Sequence, residues 1–154
     1  MGYTHYWRHN HTIDDDTWTA ITVDAQAIID AVNANLATAV PPPFPIALGD
    51  GFGEGGDPTI SNNAITFNGV GDDAHETFAF GRSGGGFDFC KTRRKPYDAA
   101  VTAILCIVDC HTMGRVQVSS DGDADEWAVG LALAQSVQPG ATLPNRIDEG
   151  VCDE

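Results

Sequence analysis

Half of the chain's positive charge is gathered in one short run. The chain has eight Lys and Arg against twenty-two Asp and Glu, which gives a net charge of −14. Four of the eight cations fall within the stretch FDFCKTRRKPYD. Clustered cations can bind phosphate, carboxylate or a nucleic-acid backbone. We therefore expect an anion-binding site formed by Lys91, Thr92, Arg93, Arg94 and Lys95.

The residues after this run predict a helix that would strengthen such a site. Pro96 is typical of a first helical position. The N-terminus of a helix has unpaired N–H groups and a partial positive charge, which favour an anion. Two uses of the cations stay open. They bind an anionic partner, or they pair with the protein's own surplus acids, and Asp98 can satisfy the first helical turn without a ligand.

A few further side chains are candidates for catalysis. His75 and Glu76 are adjacent, and a histidine beside a carboxylate can act as a general acid or base. The candidate catalytic residues are His5, His75, Glu76 and Asp98, but no recognisable motif unites them. Ser119 and Ser120 lie at a strand end without a Gly-x-Ser-x-Gly elbow or an evident base partner.

The cysteines are the candidates for a zinc site. Cys106 and Cys110 lie one helical turn apart and could share a zinc ion, with Cys90 as a third ligand. The helix around them is very apolar, and buried cysteines commonly act as small hydrophobic residues. The paired-ligand loops typical of zinc sites are missing. We expect no metal and no other cofactor.

The elements that must position these residues follow from hydrophobic periodicity. Residues 2–8 alternate as a strand, with Tyr3, His5 and Trp7 on one face and Thr4, Tyr6 and Arg8 on the other. The aromatic residues of this start could stack on a base or a sugar, but core packing is favoured. An amphipathic helix of about twenty residues follows, from the acids at 14–16 to Leu36, and the prolines at 41–43 end it.

The second half of the chain predicts more strands and two more helices. TISNNAITFNG indicates a hairpin that turns at residues 61–63, and HETFAF, FDFCK and RVQVSS indicate strands. YDAAVTAILCIVDCH predicts a buried helix, and DGDADEWAVGLALAQSV predicts a third. This order is typical of an α+β two-layer sandwich with an antiparallel or mixed sheet. We expect one domain over residues 1–138 and an acidic C-terminal tail over residues 139–154.

The charge composition indicates a setting of high salt. Asp outnumbers Glu seventeen to five, and Arg outnumbers Lys six to two. Such a surface repels itself in dilute buffer, whereas at molar salt the Debye length falls to about 3 Å. This composition is typical of halophilic archaea that accumulate salt, and of their viruses. The longest apolar run is about half the length that a membrane span needs, so we expect no membrane contact.

A set of short motifs resembles one known family. The motifs are MGYTHYW, ITFNG, HETF, FDFCKTRRKPYD and VSSDG followed by Trp127. Their order and spacing over about residues 1–130 are similar to those of small uncharacterised proteins encoded mainly by tailed phages and related mobile elements. The resemblance implies a viral or prophage setting, with the protein in the host cytoplasm or the virion, and implies no particular reaction.

Two functions are compatible with these observations. The first is a virus-encoded, non-catalytic interaction or virion-associated protein, which holds an anionic protein or nucleic acid through residues 91–95. Other virion proteins are among the partners considered. The second is a small enzyme or nucleotide-binding protein acting on a phosphorylated ligand, with converging side chains of His5, His75, Glu76, Lys91, Arg94 and Asp98. We rank the first higher because no catalytic constellation is evident. The sequence does not indicate an oligomeric state.

Overall fold

Helices and antiparallel strands are combined along the chain, so the α+β prediction is confirmed. The computed structural model describes residues 3–33 and 47–148. The strands are β1 Thr4–His9, β2 Thr59–Ile60, β3 Ala64–Phe67, β4 Phe78–Gly81, β5 Gly86–Lys91 and β6 Gln117–Ser120. The helices are α1 Asp15–Asn33, α2 Asp98–Thr112, α3 Ala128–Val137 and α4 Asn145–Asp148. Leu36, the prolines at 41–43 and residues 149–154 lie outside the described residues.

The described strands form two small sheets instead of one. One sheet has the order β5-β1-β6 and the other has the order β2-β3-β4, and all pairs are antiparallel. The hairpin predicted at residues 61–63 is confirmed between β2 and β3. β4 and β5 are neighbours in the sequence but lie in different sheets. The segment between them pairs instead with residues 11–13, where Gly84 donates to the carbonyl of His11.

β1 is the central strand of its sheet, and its alternation is as predicted. Trp7 and His5 lie on the buried face, with 2% and 0% of their surface exposed. Tyr6 and Arg8 lie on the opposite face. Core packing of the aromatic start is confirmed for Tyr3, Trp7 and Trp18.

α1 and α2 provide most of the helical part of the core. α1 begins after Asp14, whose carboxylate accepts a hydrogen bond of 2.8 Å from the N–H of Thr17. The predicted stripe of α1 is buried and consists of Trp18, Ile21, Ala25, Ile28, Ile29 and Val32. α2 is buried without interruption from Ala99 to Val108, as its apolar sequence predicts.

α3 is shorter than predicted and packs very closely on α2. Asp123 and Glu126 accept hydrogen bonds from each other's backbone N–H, which closes a turn before the helix starts at Ala128. A Cβ atom at Gly130 would lie 1.9 Å from Oγ1 of Thr102 on α2. Only glycine therefore permits this helix contact.

Packing continues past residue 138, where the sequence prediction placed the start of a tail. Ala141 and Ile147 are fully buried and belong to the hydrophobic core. Ile147 belongs to α4, which contacts β6. Among the described residues, none of the helices is both long and apolar enough to cross a membrane.

Candidate functional site

The predicted cation cluster forms a tight turn between β5 and α2. We call residues 91–95 the basic turn. The N–H of Lys95 donates to the carbonyl of Thr92 over 3.0 Å, which closes the turn. The two central residues, Arg93 and Arg94, have φ angles of 53° and 59°. Both therefore hold a left-handed backbone that glycine or asparagine adopts far more readily than arginine.

The basic turn is tied to the start of β1. The N–H groups of Thr92 and Arg93 both donate to the carbonyl of Tyr3, at 3.1 and 3.3 Å. The hydroxyl of Thr92, which is fully buried, donates to Oδ1 of Asp98 over 2.6 Å. The turn is therefore fixed from the sheet on one side and from α2 on the other.

Asp98 belongs to a partly buried chain of hydrogen bonds that sequence reasoning did not find. Nε2 of His5 lies 2.6 Å from Oδ1 of Asp98, and Nδ1 of His5 lies 2.7 Å from Oγ of Ser120. The N–H groups of Gly122 and of the Trp127 indole also donate to Oγ of Ser120. We call these residues the His5 network, which links β1, β6, α2 and the segment before α3.

The donors around Ser120 fix the proton positions in the His5 network. Because Ser120 Oγ accepts hydrogen bonds from both Gly122 and Trp127, its own proton is donated to Nδ1 of His5. His5 is then the tautomer that carries its proton on Nε2, and this proton is donated to Asp98. The rings of Tyr3 and Trp127 contact the His5 ring edge-on at 5.1 and 5.2 Å between centroids.

A linked serine, histidine and aspartate have the composition of a nucleophilic triad. His5 is the base partner of Ser120 that the sequence did not reveal. The geometry nevertheless favours a structural role for the network. His5 is fully buried, and both lone pairs of the Ser120 hydroxyl accept hydrogen bonds within the fold. Attack by this hydroxyl would first require the loss of those contacts.

Two cations of the basic turn have partners within the fold. Arg94 pairs with the Glu126 carboxylate at 2.8 Å, and its guanidinium lies 4.1 Å from the centroid of the Tyr3 ring. The hydrogen bond to Glu126 raises the pKa of Arg94, and burial raises the pKa of Tyr3. Nζ of Lys95 donates to the carbonyl of Asp72 over 2.8 Å. Pairing with one of the protein's own acids is therefore realised for Arg94, whereas Lys95 is held by a backbone carbonyl.

The side chains of Lys91 and Arg93 lack the contacts within the described residues that Arg94 and Lys95 make. Arg93 is exposed and Lys91 is half-buried. Within residues 3–33 and 47–148, neither of the two forms an ion pair. An open groove of about 160 Å³ lies beside the turn and is lined by Arg94, Lys95, Asp98, Thr102 and Glu126, among others. The turn can therefore present two cations to a partner while two others hold it in place.

The start of α2 contributes less to an anion site than expected. The N–H groups of Asp98, Ala99 and Ala100 donate to the carbonyls of the three residues at 95–97. These donors are consumed because the preceding turn folds back onto the helix. An anion at the basic turn would therefore meet side-chain charge and little of the helix N-terminus.

The remaining candidate catalytic residues do not join His5. Both ring nitrogens of His5 are occupied by Asp98 and Ser120, and His75 is exposed. Glu76 accepts a hydrogen bond of 2.7 Å from the N–H of Lys91 through its carboxylate. Of the six side chains proposed to converge on a phosphorylated ligand, the structure therefore brings His5 and Asp98 into contact and places Glu76 beside Lys91.

The candidate zinc ligands lie in the apolar interior. Burial raises the pKa of the thiols of Cys90 and Cys106 to about 12, so both are protonated at neutral pH. Cys110 is partly exposed, and burial raises its pKa as well. Nowhere in the described part of the chain do three or more His, Cys, Asp or Glu side chains group as a metal site would require.

Comparison with known proteins adds nothing to this geometry. No protein-family model, no curated protein and no solved structure matches the chain.

Proposed function

We propose that this chain is a non-catalytic interaction protein that holds an anionic partner through the basic turn. The observation that supports this proposal most strongly is the left-handed backbone of two arginines, Arg93 and Arg94, at the centre of the turn. A left-handed backbone costs a non-glycine residue about 1–2 kcal/mol. Strained conformations of this kind persist where the surrounding structure holds them, and they cluster at binding sites.

The internal contacts of the turn account for only part of its charge. Arg94 needs its position to reach Glu126 and Tyr3. Arg93 has a left-handed backbone as well, yet its side chain is exposed. A glycine would close the same turn at lower cost, so the guanidinium of Arg93 is best explained by a partner outside the chain. The resemblance to proteins of tailed phages supports a viral setting, in the host cytoplasm or the virion.

Removing the two unpaired cations is expected to weaken binding without weakening the fold. In a Lys91→Ala/Arg93→Ala variant, the Kd for inorganic polyphosphate should rise about fivefold to tenfold, because exposed charge contacts contribute modestly. The melting temperature should stay within about 2 °C of the wild type, because no ion pair within the described residues is lost. Isothermal titration calorimetry and thermal melts measure the two quantities.

Arg115 offers a matched control for the loss of charge. It is exposed and follows the C-terminal end of α2, whereas the basic turn precedes its N-terminal end, about 20 Å away. Arg115→Ala should leave the polyphosphate Kd within about twofold of the wild type. Equal weakening by Arg115→Ala and by Arg93→Ala, each of which removes one charge, would mean that net charge alone governs binding, and the proposed site would be rejected.

The composition of the His5 network is the one observation that supports an alternative function, a small enzyme. The hydrogen-bonded order Ser120, His5, Asp98 is the arrangement that activates a serine hydroxyl. Covalent labelling of Ser120 by a fluorophosphonate, abolished by His5→Ala in a protein that still folds, would favour the enzyme. Absence of labelling favours the interaction protein, in which Ser120 serves as a hydrogen-bonding junction.

A further inference from the structure

The outer face of the β5-β1-β6 sheet has an aromatic surface that core packing does not explain. Register places Tyr6 between Phe89 and Ser119, and Arg8 between Phe87 and Gln117. Cross-strand partners lie on the same face of a sheet. We call this surface the aromatic platform; it consists of Tyr6, Arg8, Phe87, Phe89, Gln117 and Ser119.

The rings of the aromatic platform are aligned and accessible. Phe87 and Phe89 are 52% and 48% exposed. Phe87 stacks on Tyr6 at 5.8 Å between centroids and on Phe89 at 6.1 Å. The other large apolar side chains exposed in the described residues are isolated ones at Val23, Phe52 and Met113. A row of exposed stacked rings marks an interaction surface, whereas single exposed residues are ordinary.

Cations surround the aromatic platform in a chain that is otherwise strongly acidic. The guanidinium carbon of Arg8 lies 5.3 Å from the centroid of the Phe87 ring. Arg146 of α4 lines a groove of about 150 Å³ together with Tyr6, Arg8 and Phe87. Lys91 lies on the same strand face as Phe87 and Phe89, and the basic turn follows it directly. Positive charge therefore continues from the platform into the basic turn.

The acids that border the platform are engaged in hydrogen bonds. The carboxylate of Asp121 accepts from the Tyr6 hydroxyl and from the N–H of Thr4. Asp88 accepts from the N–H of Phe89, a group at the outer edge of β5. This contact, together with a charge of −14 on each copy, disfavours edge-to-edge pairing of two copies of the chain.

We propose that the aromatic platform binds single-stranded nucleic acid. Unpaired bases would stack on Phe87, Phe89 and Tyr6, while phosphates would meet Arg8, Arg146 and Lys91. A duplex hides the faces of its bases, so an unpaired strand is the form that the rings fit. Stacking is also insensitive to the salt that screens phosphate contacts. This inference rests on the proposed function, because it names the anionic partner that the basic turn holds.

The test uses the full chain and a labelled oligothymidylate of about twelve nucleotides. Fluorescence anisotropy should show binding at least about tenfold tighter than that of an abasic strand of equal length, because the abasic strand keeps the phosphates and lacks the bases. A Phe87→Ala/Phe89→Ala variant should raise the Kd for oligothymidylate about tenfold or more. An oligouridylate of the same length forms a second arm. Binding of either strand supports the proposal, and the tighter one identifies the natural strand.

Phe52 provides the matched control, since it is 87% exposed and lies in the loop before β2. Phe52→Ala should leave the Kd within about twofold of the wild type. The proposal is overturned if the double phenylalanine variant binds like the wild type while its melt shows that it folds, or if the abasic strand binds equally well.

The two proposals fail in different ways. If only the nucleic-acid inference is wrong, polyphosphate still binds in a manner that depends on Lys91 and Arg93, and bases add nothing. If only the proposed role of the basic turn is wrong, oligothymidylate binds through Phe87 and Phe89, and its Kd does not respond to Arg93→Ala. If both are wrong, the Kd for polyphosphate is unchanged in Lys91→Ala/Arg93→Ala, and the Kd for oligothymidylate is unchanged in Phe87→Ala/Phe89→Ala.

Discussion

Replacing Asp98 with alanine is expected to lower the melting temperature by about 10 °C. The change leaves the Nε2–H of His5 and the hydroxyl of Thr92 without their acceptor, and both residues are fully buried. Leaving a buried neutral donor without its acceptor costs about 1–3 kcal/mol, so the two donors together account for about 2–6 kcal/mol. For a chain of this size, each kcal/mol shifts the melting temperature by about 2–4 °C. Thermal unfolding followed by circular dichroism measures the loss.

Asp98→Asn is the matched control for this prediction. Asparagine keeps the oxygen that both donors use and removes the charge, so it should retain most of the stability that alanine loses. If Asp98→Ala melts like the wild type, the His5 network does not stabilise the fold. If asparagine is as damaging as alanine, charge and not hydrogen bonding is the main contribution of Asp98.

The salt dependence of stability is the second large effect that we expect. In dilute buffer of about 0.01 M, the Debye length of about 30 Å exceeds the radius of the protein, so all of its surface acids repel one another. In about 1 M KCl this repulsion is screened, and we expect the melting temperature to rise by roughly 10 °C. Thermal melts across a KCl series test this expectation. A melting temperature that is flat or falls with salt would contradict the halophilic interpretation.

Neutralising a few exposed acids separates charge screening from general salt effects. Asp16, Asp57 and Asp73 are exposed, and no side-chain hydrogen bond or ion pair of theirs is found among the described residues. A variant with asparagine at all three positions should melt above the wild type in dilute buffer and close to it in molar KCl. If the variant gains as much from salt as the wild type does, screening of these charges is not the cause.

Much of the fold could be predicted because its signals are local. The alternation from Tyr3 to Arg8 and the helical stripe that begins at Trp18 each lie within one element, and both agree with the structure. The hairpin turn at residues 61–63 is equally local. The division into two sheets could not be predicted, because nothing in the local sequence of β4 or β5 indicates which strand it pairs with.

The candidate site was predictable in composition but not in arrangement. The cluster at residues 91–95 is visible as charge, but its link to Glu126 spans 32 residues. The His5 network joins residues 93 and 115 positions apart. The pairing of Ser120 with His5 follows from β1 lying beside β6, and that pairing has no signal in a single sequence. The sequence predicts a strand at Phe87 and Phe89 but does not indicate that their rings are exposed.

The network and the basic turn together suggest how this chain divides stability from binding. The His5 network holds Asp98 at the start of α2. Asp98 also accepts a hydrogen bond from Thr92, which fixes the basic turn. Arg94 completes the support through Glu126. Under the proposed function, Lys91 and Arg93 are the cations that remain for the partner. Changes in the network should therefore affect stability first, and loss of the Arg93 guanidinium should weaken binding without destabilising the fold.

The substitution Arg93→Gly tests this division most directly, with stability and polyphosphate affinity measured on the same protein. Glycine accepts the left-handed backbone, so the fold should become more stable by about 0.5–1 kcal/mol, a rise of roughly 2 °C in melting temperature. The polyphosphate Kd should nevertheless rise about threefold, because the exposed guanidinium is gone. A more stable variant that binds more weakly is the result we predict. A variant whose affinity equals that of the wild type would contradict the claim that the basic turn binds an anionic partner.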